Sequence, residues 1–104
     1  MKTLIRLLIA SGMLLSLGAQ AVTGEEVMTK AGCMACHAKD KKLVGPALKD
    51  VAAKYKGQDV VAKLMAKVRA GGSGVYGPIP MSPNPPGKIS DADLKAAIEW
   101  VLKL

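Results

Sequence analysis

Both cysteines of the 104-residue chain and its single histidine fall within five consecutive residues, Cys33-Met34-Ala35-Cys36-His37. The spacing is C-x-x-C-H, the pattern by which a c-type haem is attached to a polypeptide. Two thiols three positions apart on a helical turn can reach the two vinyl groups along one edge of a porphyrin. The next residue is then placed to bring its imidazole to the iron. Five residues thus offer two thioether bonds and one axial ligand. Other chemistry is served less well by the same residues. A dithiol oxidoreductase needs a strand before the cysteines and a βαβ pattern around them, and neither can be read here. A structural zinc site needs four ligands, and the chain has two Cys and one His. A plain disulfide leaves the adjacent His37 without a purpose.

The candidate for a second axial ligand is a methionine. The stretch from Gly71 to Ile89 holds five of the six prolines and five of the eleven glycines. A loop of that length in so small a domain is usually functional or disordered. Prolines reduce the entropy lost when such a loop becomes ordered, and the embedded Val75, Ile79 and Met81 suggest that it packs against something. Met81 lies at its centre between Pro80 and Ser82-Pro83, where a thioether can be held over the porphyrin face opposite His37. A methionine in a small protein is ordinarily core filling, and Met28 and Met65 fit that use because they fall on apolar helical faces. Met34 lies inside the attachment motif, too near the wrong side of the iron.

The histidine count limits the function. With His37 alone, a bis-histidine haem, a second haem and a distal catalytic histidine are all excluded within this chain. A His37/Met81 pair would fill both axial positions, and the soft sulfur would favour ferrous iron and raise the reduction potential. One-electron transfer without catalysis is the expected function. The competing reading is an exported haem enzyme or ligand sensor in which Met81 leaves the iron to open a site.

Four helices are expected to position these residues. Thr23-Gly24-Glu25-Glu26 has the form of a capping box, and Val27, Met28, Ala31, Met34 and Ala35 follow on one face, so the first helix leads into the haem motif. Pro46 is expected to open a second helix running to Lys56 and ending at Gly57. Asp59 is expected to cap a third, with Val60, Val61, Leu64, Met65 and Val68 at helical spacing up to Gly71-Gly72. Ser90 caps the fourth, with Asp91 and Asp93 in its first turn and Leu94, Ala97, Ile98, Val101 and Leu102 along one side. No strand signal, repeat or internal domain boundary is visible, and the fold class predicted is all-α. Trp100 is read as a packing residue where the terminal helices meet.

The first 21 residues read as a separate unit. They have a basic start (Lys2, Arg6), an apolar run of about a dozen residues, and Ala19-Gln20-Ala21, the small-x-small form of a signal peptidase site. The run is shorter than a membrane span requires, and Ser11 and Gly12 dilute it. The predicted organisation is a cleaved signal peptide at 1–21 and one domain at 22–104, exported to the periplasm. The leader carries two of the fifteen basic residues and none of the eight acidic ones, so the net charge falls from +7 to +5 on its removal. The remaining 83 residues contain no Phe, one Trp and two Tyr, too few large side chains to fill an interior without a staple or a cofactor. Most of the lysines are expected to be solvated. Lys39, Lys41 and Lys42, just after the motif, are the candidates for a basic rim that steers an acidic redox partner. Nucleic-acid binding and stable membrane insertion are not expected, and a monomer is the default.

Beyond the motif, the chain resembles the small bacterial class I c-type cytochromes of the c-551 and c-552 kind across essentially all of residues 22–104. The resemblance is carried by Gly32-Cys33-x-x-Cys36-His37, Val44-Gly45-Pro46-Ala47, Lys49 to Tyr55, and Gly74-Val75-Tyr76-Gly77-Pro78-Ile79-Pro80-Met81-x-Pro83-Asn84. It implies four short helices wrapped around one covalently bound haem c, with iron held by His37 and Met81. It implies electron shuttling between a membrane quinol-oxidising donor and a terminal reductase or oxidase. It also implies that the Pro46 carbonyl accepts the His37 ring N–H and that Asn84 donates to the Met81 sulfur. Members of this group usually carry Trp where this chain has Tyr76, a position that faces a haem propionate. Tyr76, Lys67, Arg69 and Trp100 are the candidate propionate partners.

Overall fold

A computed structural model describes residues 22–104 together with the isolated Gly12. The leader read at 1–21 otherwise lies outside the described residues. Four α-helices follow one another: α1 (Gly24–Lys30), α2 (Leu48–Lys54), α3 (Val61–Ala70) and α4 (Asp91–Leu102). A short 3₁₀ turn at Cys33–Ala35 lies between α1 and α2. The only β-type pairing among the described residues is a single antiparallel bridge between Gly72 and Met81.

The helix ends follow their capping chemistry. Thr23 Oγ1 accepts from the Glu26 N–H at 3.2 Å, and Ser90 Oγ accepts from the Asp93 N–H at the same distance. Each satisfies a donor that the first helical turn leaves unpaired. α4 also has Asp91 and Asp93 against its positive end. Two other boundaries differ from expectation. α2 starts at Leu48 and ends at Lys54, because Pro46 is held outside the helix with its carbonyl engaged by His37. Asp59 caps nothing: the residue before α3 is Val60, which has no side-chain cap, so the helix depends on packing of its apolar face.

The core forms where α4 packs against the other three helices. Val27, Met28 and Ala31 of the first segment meet Leu94, Ala97, Ile98 and Val101 of α4, with Leu48 and Ile89 beside them. The crossing of α1 and α4 depends on Gly24: a Cβ there would overlap Trp100 Cβ and the Ala96 carbonyl. Trp100 is therefore the packing residue expected at the meeting of the terminal helices. Met28 is buried and Met65 is partly buried against this core, as core-filling methionines should be.

Candidate functional site

Gly32 adopts a left-handed backbone (φ 78°), which ends the helical path of α1 and starts the 3₁₀ turn carrying the first thiol. The Cys36 and His37 N–H groups both donate to the Cys33 carbonyl, at 3.2 and 3.1 Å, so the whole motif is one tight turn. That turn is fastened to the chain ahead of α2 by Gly45 N–H to Cys36 O at 2.7 Å and Leu48 N–H to Ala38 O at 2.9 Å. Both cysteines are free. Burial pushes the Cys33 thiol up from its ordinary value, while the nearby Lys88 ammonium opposes the shift.

His37 is oriented from two sides. Its ring Nδ1–H donates to the Pro46 carbonyl at 2.8 Å, as the sequence resemblance implied. A carbonyl can only accept, so the proton of the neutral ring sits on Nδ1 and Nε2 retains the lone pair that a metal needs. The bare α-carbon of Gly45 lies against the ring, where a Cβ would fall 2.5 to 2.9 Å from Cε1, Nδ1 and Nε2.

Met81 arrives from a distant part of the chain. Its N–H donates to Gly72 O and its carbonyl accepts from Gly72 N–H, both at 2.9 Å, closing residues 72–81 into a loop with a narrow neck. Gly71 (φ 67°) lies so close to the Met81 carbonyl that no side chain fits there.

Cys33, Cys36, His37 and Met81 all line one cavity of about 410 Å³. Its walls are largely apolar, with Leu48, Val51, Leu64, Val68 and Ile98 contributing. Protein interiors are close-packed, so a space of this size in so small a domain requires an occupant. The residues fit a haem: two thiols on one turn, an imidazole with a free Nε2, a thioether and apolar walls line the same space.

The second set of candidates divides. Tyr76 and Lys67 line the cavity, whereas Arg69 and Trp100 do not. The Arg69 guanidinium is committed instead to Asn84 O, Ile89 O and Asp91. Partial desolvation raises the otherwise exposed Tyr76 phenol above its ordinary value, with Tyr55 and Asp50 adding to the effect, so it stays a neutral hydrogen-bond donor. Asn84 is buried, but both hydrogens of its amide go to main-chain carbonyls, Val68 O at 3.1 Å and Ser82 O at 3.0 Å, and not to the Met81 sulfur. A carbonyl oxygen is a stronger acceptor than a thioether sulfur, and these two lie within reach of the amide. The lysine trio also divides. Lys42 lines the cavity, while Lys39 is tied to Glu25 at 2.7 Å and lies over the Trp100 ring at 5.4 Å.

Sequence reasoning missed Gly45 and Lys88, and it gave Arg69 the wrong partner. Gly45 and Pro46 were visible as a block, but only the packed structure sets the glycine against the imidazole. No sequence signal marks Lys88 or the partners of Arg69, because a thiol and the loop carbonyls are brought close to them only by the fold.

The chain matches the cytochrome c family over residues 21–104. It is 51% identical over 82 residues to cytochrome c2 of Rubrivivax gelatinosus, covering 78% of this chain and 96% of that protein. It is 56% identical over 81 residues to cytochrome c-551 of Azotobacter vinelandii, covering 77% and 95%. The crystal structure of Nitrosomonas europaea cytochrome c552 superposes with a TM-score of 0.71 at 48% identity, covering 77% of this chain and 98% of that one. The cavity, the attachment motif and these likenesses lead to one assignment: the chain belongs to the cytochrome c family, with the all-α class I fold and one covalently bound haem c of His/Met ligation, and is a monohaem electron-transfer protein and not an enzyme.

Proposed function

We propose that residues 22–104 form a periplasmic carrier that takes single electrons from a membrane quinol-oxidising donor to a terminal reductase or oxidase, after removal of residues 1–21 as a signal peptide. In this reading Cys33 and Cys36 form the thioethers, and His37 and Met81 are the axial ligands. The observation that carries it is the convergence of the motif turn and the Met81 loop on one apolar cavity.

When bound, haem c supplies a one-electron couple. The chain's own residues set its conditions. Pro46 fixes the His37 tautomer and ring angle, which keeps the imidazole aligned. Met81 would hold the iron through its thioether, a soft ligand that would favour the reduced form. Leu48, Val51 and Val68 exclude water, which limits the solvent reorganisation that accompanies a change of charge. Tyr76 and Lys67 are the cavity-lining groups suited to the propionates, one by a neutral O–H and the other by charge.

The partner surface in this proposal is the cavity's own rim. Val44, Val75, Tyr76 and Ile79 are exposed and border the cavity, and Lys42 and Lys88 stand among them. An apolar centre with lysines around it suits a partner that presents an apolar patch ringed by carboxylates. Contact at the centre shortens the electron path, and charge raises the encounter rate. Among the described residues no helix is long and apolar enough to cross a membrane.

The test is a spectrum of protein purified from a periplasmic extract. Ferric protein should show the weak sulfur-to-iron charge-transfer band in the red, Met81→Ala should lose it, and the protein mass should correspond to a chain beginning at Val22 plus one haem. Rapid carbon monoxide binding by the native ferrous protein would instead favour an enzyme or sensor in which Met81 leaves the iron.

A further inference from the structure

We propose that Arg69 is a positioning residue for Met81: its guanidinium fastens the returning limb of the methionine loop to α3 and α4, and so holds the thioether where an axial ligand must be. The inference rests on the reading of Met81 as the iron ligand.

The limb from Met81 to α4 contains Pro83, Pro85 and Pro86, which fix local φ but do not determine where the limb lies against the domain. Side chains and main chain at the end of α3 do that. Arg69 and Asn84 exchange hydrogen bonds in both directions: the Asn84 N–H donates to Arg69 O at 3.2 Å, and Arg69 Nη1 donates to Asn84 O at 3.0 Å. The same Nη1 donates to Ile89 O at 2.7 Å, and Nη2 donates to the Asp91 carboxylate. One side chain, itself only 19% exposed, thus holds the limb at residues 84, 89 and 91. The Asn84 amide adds Val68 O and Ser82 O from the other side of the bend. Toward the loop tip, the paired bonds of Gly72 and Met81 close the neck.

Only arginine suits this position. Its planar fork carries five donors and keeps its charge, so it can serve two carbonyls and a carboxylate together. A lysine ammonium of similar reach is a single point and cannot span all three without rearrangement. With the guanidinium removed, the Asn84 and Ile89 carbonyls lose their charge-assisted donor. Only the neck at Gly72 and the bonds of Asn84 to the Arg69 and Val68 main chain then hold the loop, and Met81 is three residues from the loosened bend.

The experiment compares native holoprotein with Arg69→Met and Arg69→Lys. Two readouts are followed: amide hydrogen exchange at Met81 and Asn84, with Ala31 and Val101 as core references, and loss of the red sulfur-to-iron band during denaturant titration compared with loss of helical circular dichroism. In Arg69→Met, exchange at Met81 and Asn84 should accelerate at least about tenfold, the scale of one lost charge-assisted bond, and more than at Ala31 and Val101. The red band should vanish at a lower denaturant concentration than the helices, and Arg69→Lys should fall between that variant and native. Equal acceleration at all four amides, with band and helices lost together, would make Arg69 a general structural residue and overturn the proposal. If Arg69→Met does not accumulate as folded holoprotein, Arg69→Lys is decided by the same two comparisons. A native protein lacking the red band would overturn the ligand assignment itself, a result separable from the amide exchange.

Discussion

Gly45 lies flat against the His37 imidazole, so close that a methyl group on its α-carbon would fall 2.5 Å from Cε1. The ring is thereby held between that α-carbon and the Pro46 carbonyl that accepts its Nδ1–H. Gly45→Ala must displace either the loop or the ring, and displacing the ring breaks the 2.8 Å bond. Overpacking of this kind costs about 1–3 kcal/mol. The holoprotein should unfold at lower denaturant by that amount, and its ferric spectrum should change at neutral pH. An unchanged spectrum and midpoint would mean that the ring tolerates the methyl group.

Gly24 has the same relation to Trp100 at the crossing of α1 and α4. Gly24→Ala improves helix propensity by up to about 1 kcal/mol yet should still destabilise, because the clash is with the Ala96 main chain as well as with a side chain. A melting temperature lowered by about 5 °C or more is expected in calorimetry for a domain of this size. A rise would show that the helices can separate at little cost.

Lys42 and Lys39, two of the three lysines just after the motif, should behave differently. Lys42 lines the cavity, whereas Lys39 is occupied by Glu25 and Trp100. In electron exchange with the anionic ferrocyanide/ferricyanide couple at low ionic strength, Lys42→Glu should slow the rate several-fold and flatten its salt dependence. Lys39→Glu should change the rate less and instead lower stability by setting two carboxylates side by side. Equal rate effects would remove the distinction.

Tyr76 supplies a pH dependence whose sign follows from linkage. Burial raises its folded value above the ordinary 10.0, so above that pH the folded state retains a proton that the unfolded state releases. Its contribution is complete below pH 10.0 and is lost as pH rises through the folded value. The stability difference between native protein and Tyr76→Phe should therefore be flat at neutral pH and shift against native protein in alkali. A difference that stays constant to high pH would rule this out. Comparing the two proteins cancels the lysines that titrate in the same range.

Much of the site was legible because its parts are local. Cys33, Cys36 and His37 are neighbours in one turn, and spacing alone carries their chemistry. Thr23 and Ser90 cap their helices through contacts three residues away, and Met81 stood out because prolines surround it. Asp59 misled because a capping residue type is only an option that the backbone need not take. Pro46 misled as a helix starter because His37 had a prior claim on its carbonyl.

What the tertiary structure alone decided was which group satisfies which partner across long separations. Asn84 could donate to sulfur or to carbonyl oxygen. The fold placed Val68 O and Ser82 O within its reach, and a carbonyl oxygen is a stronger acceptor than a thioether sulfur. Arg69 could have reached a propionate, but the end of α3 set it beside three oxygens of the returning loop. Residue types and spacing determined the chemistry available to this chain. Hydrogen-bond satisfaction in the packed domain determined how that chemistry was allotted, because burial makes every unpaired donor or acceptor costly and spacing along a chain does not reveal which groups become buried together.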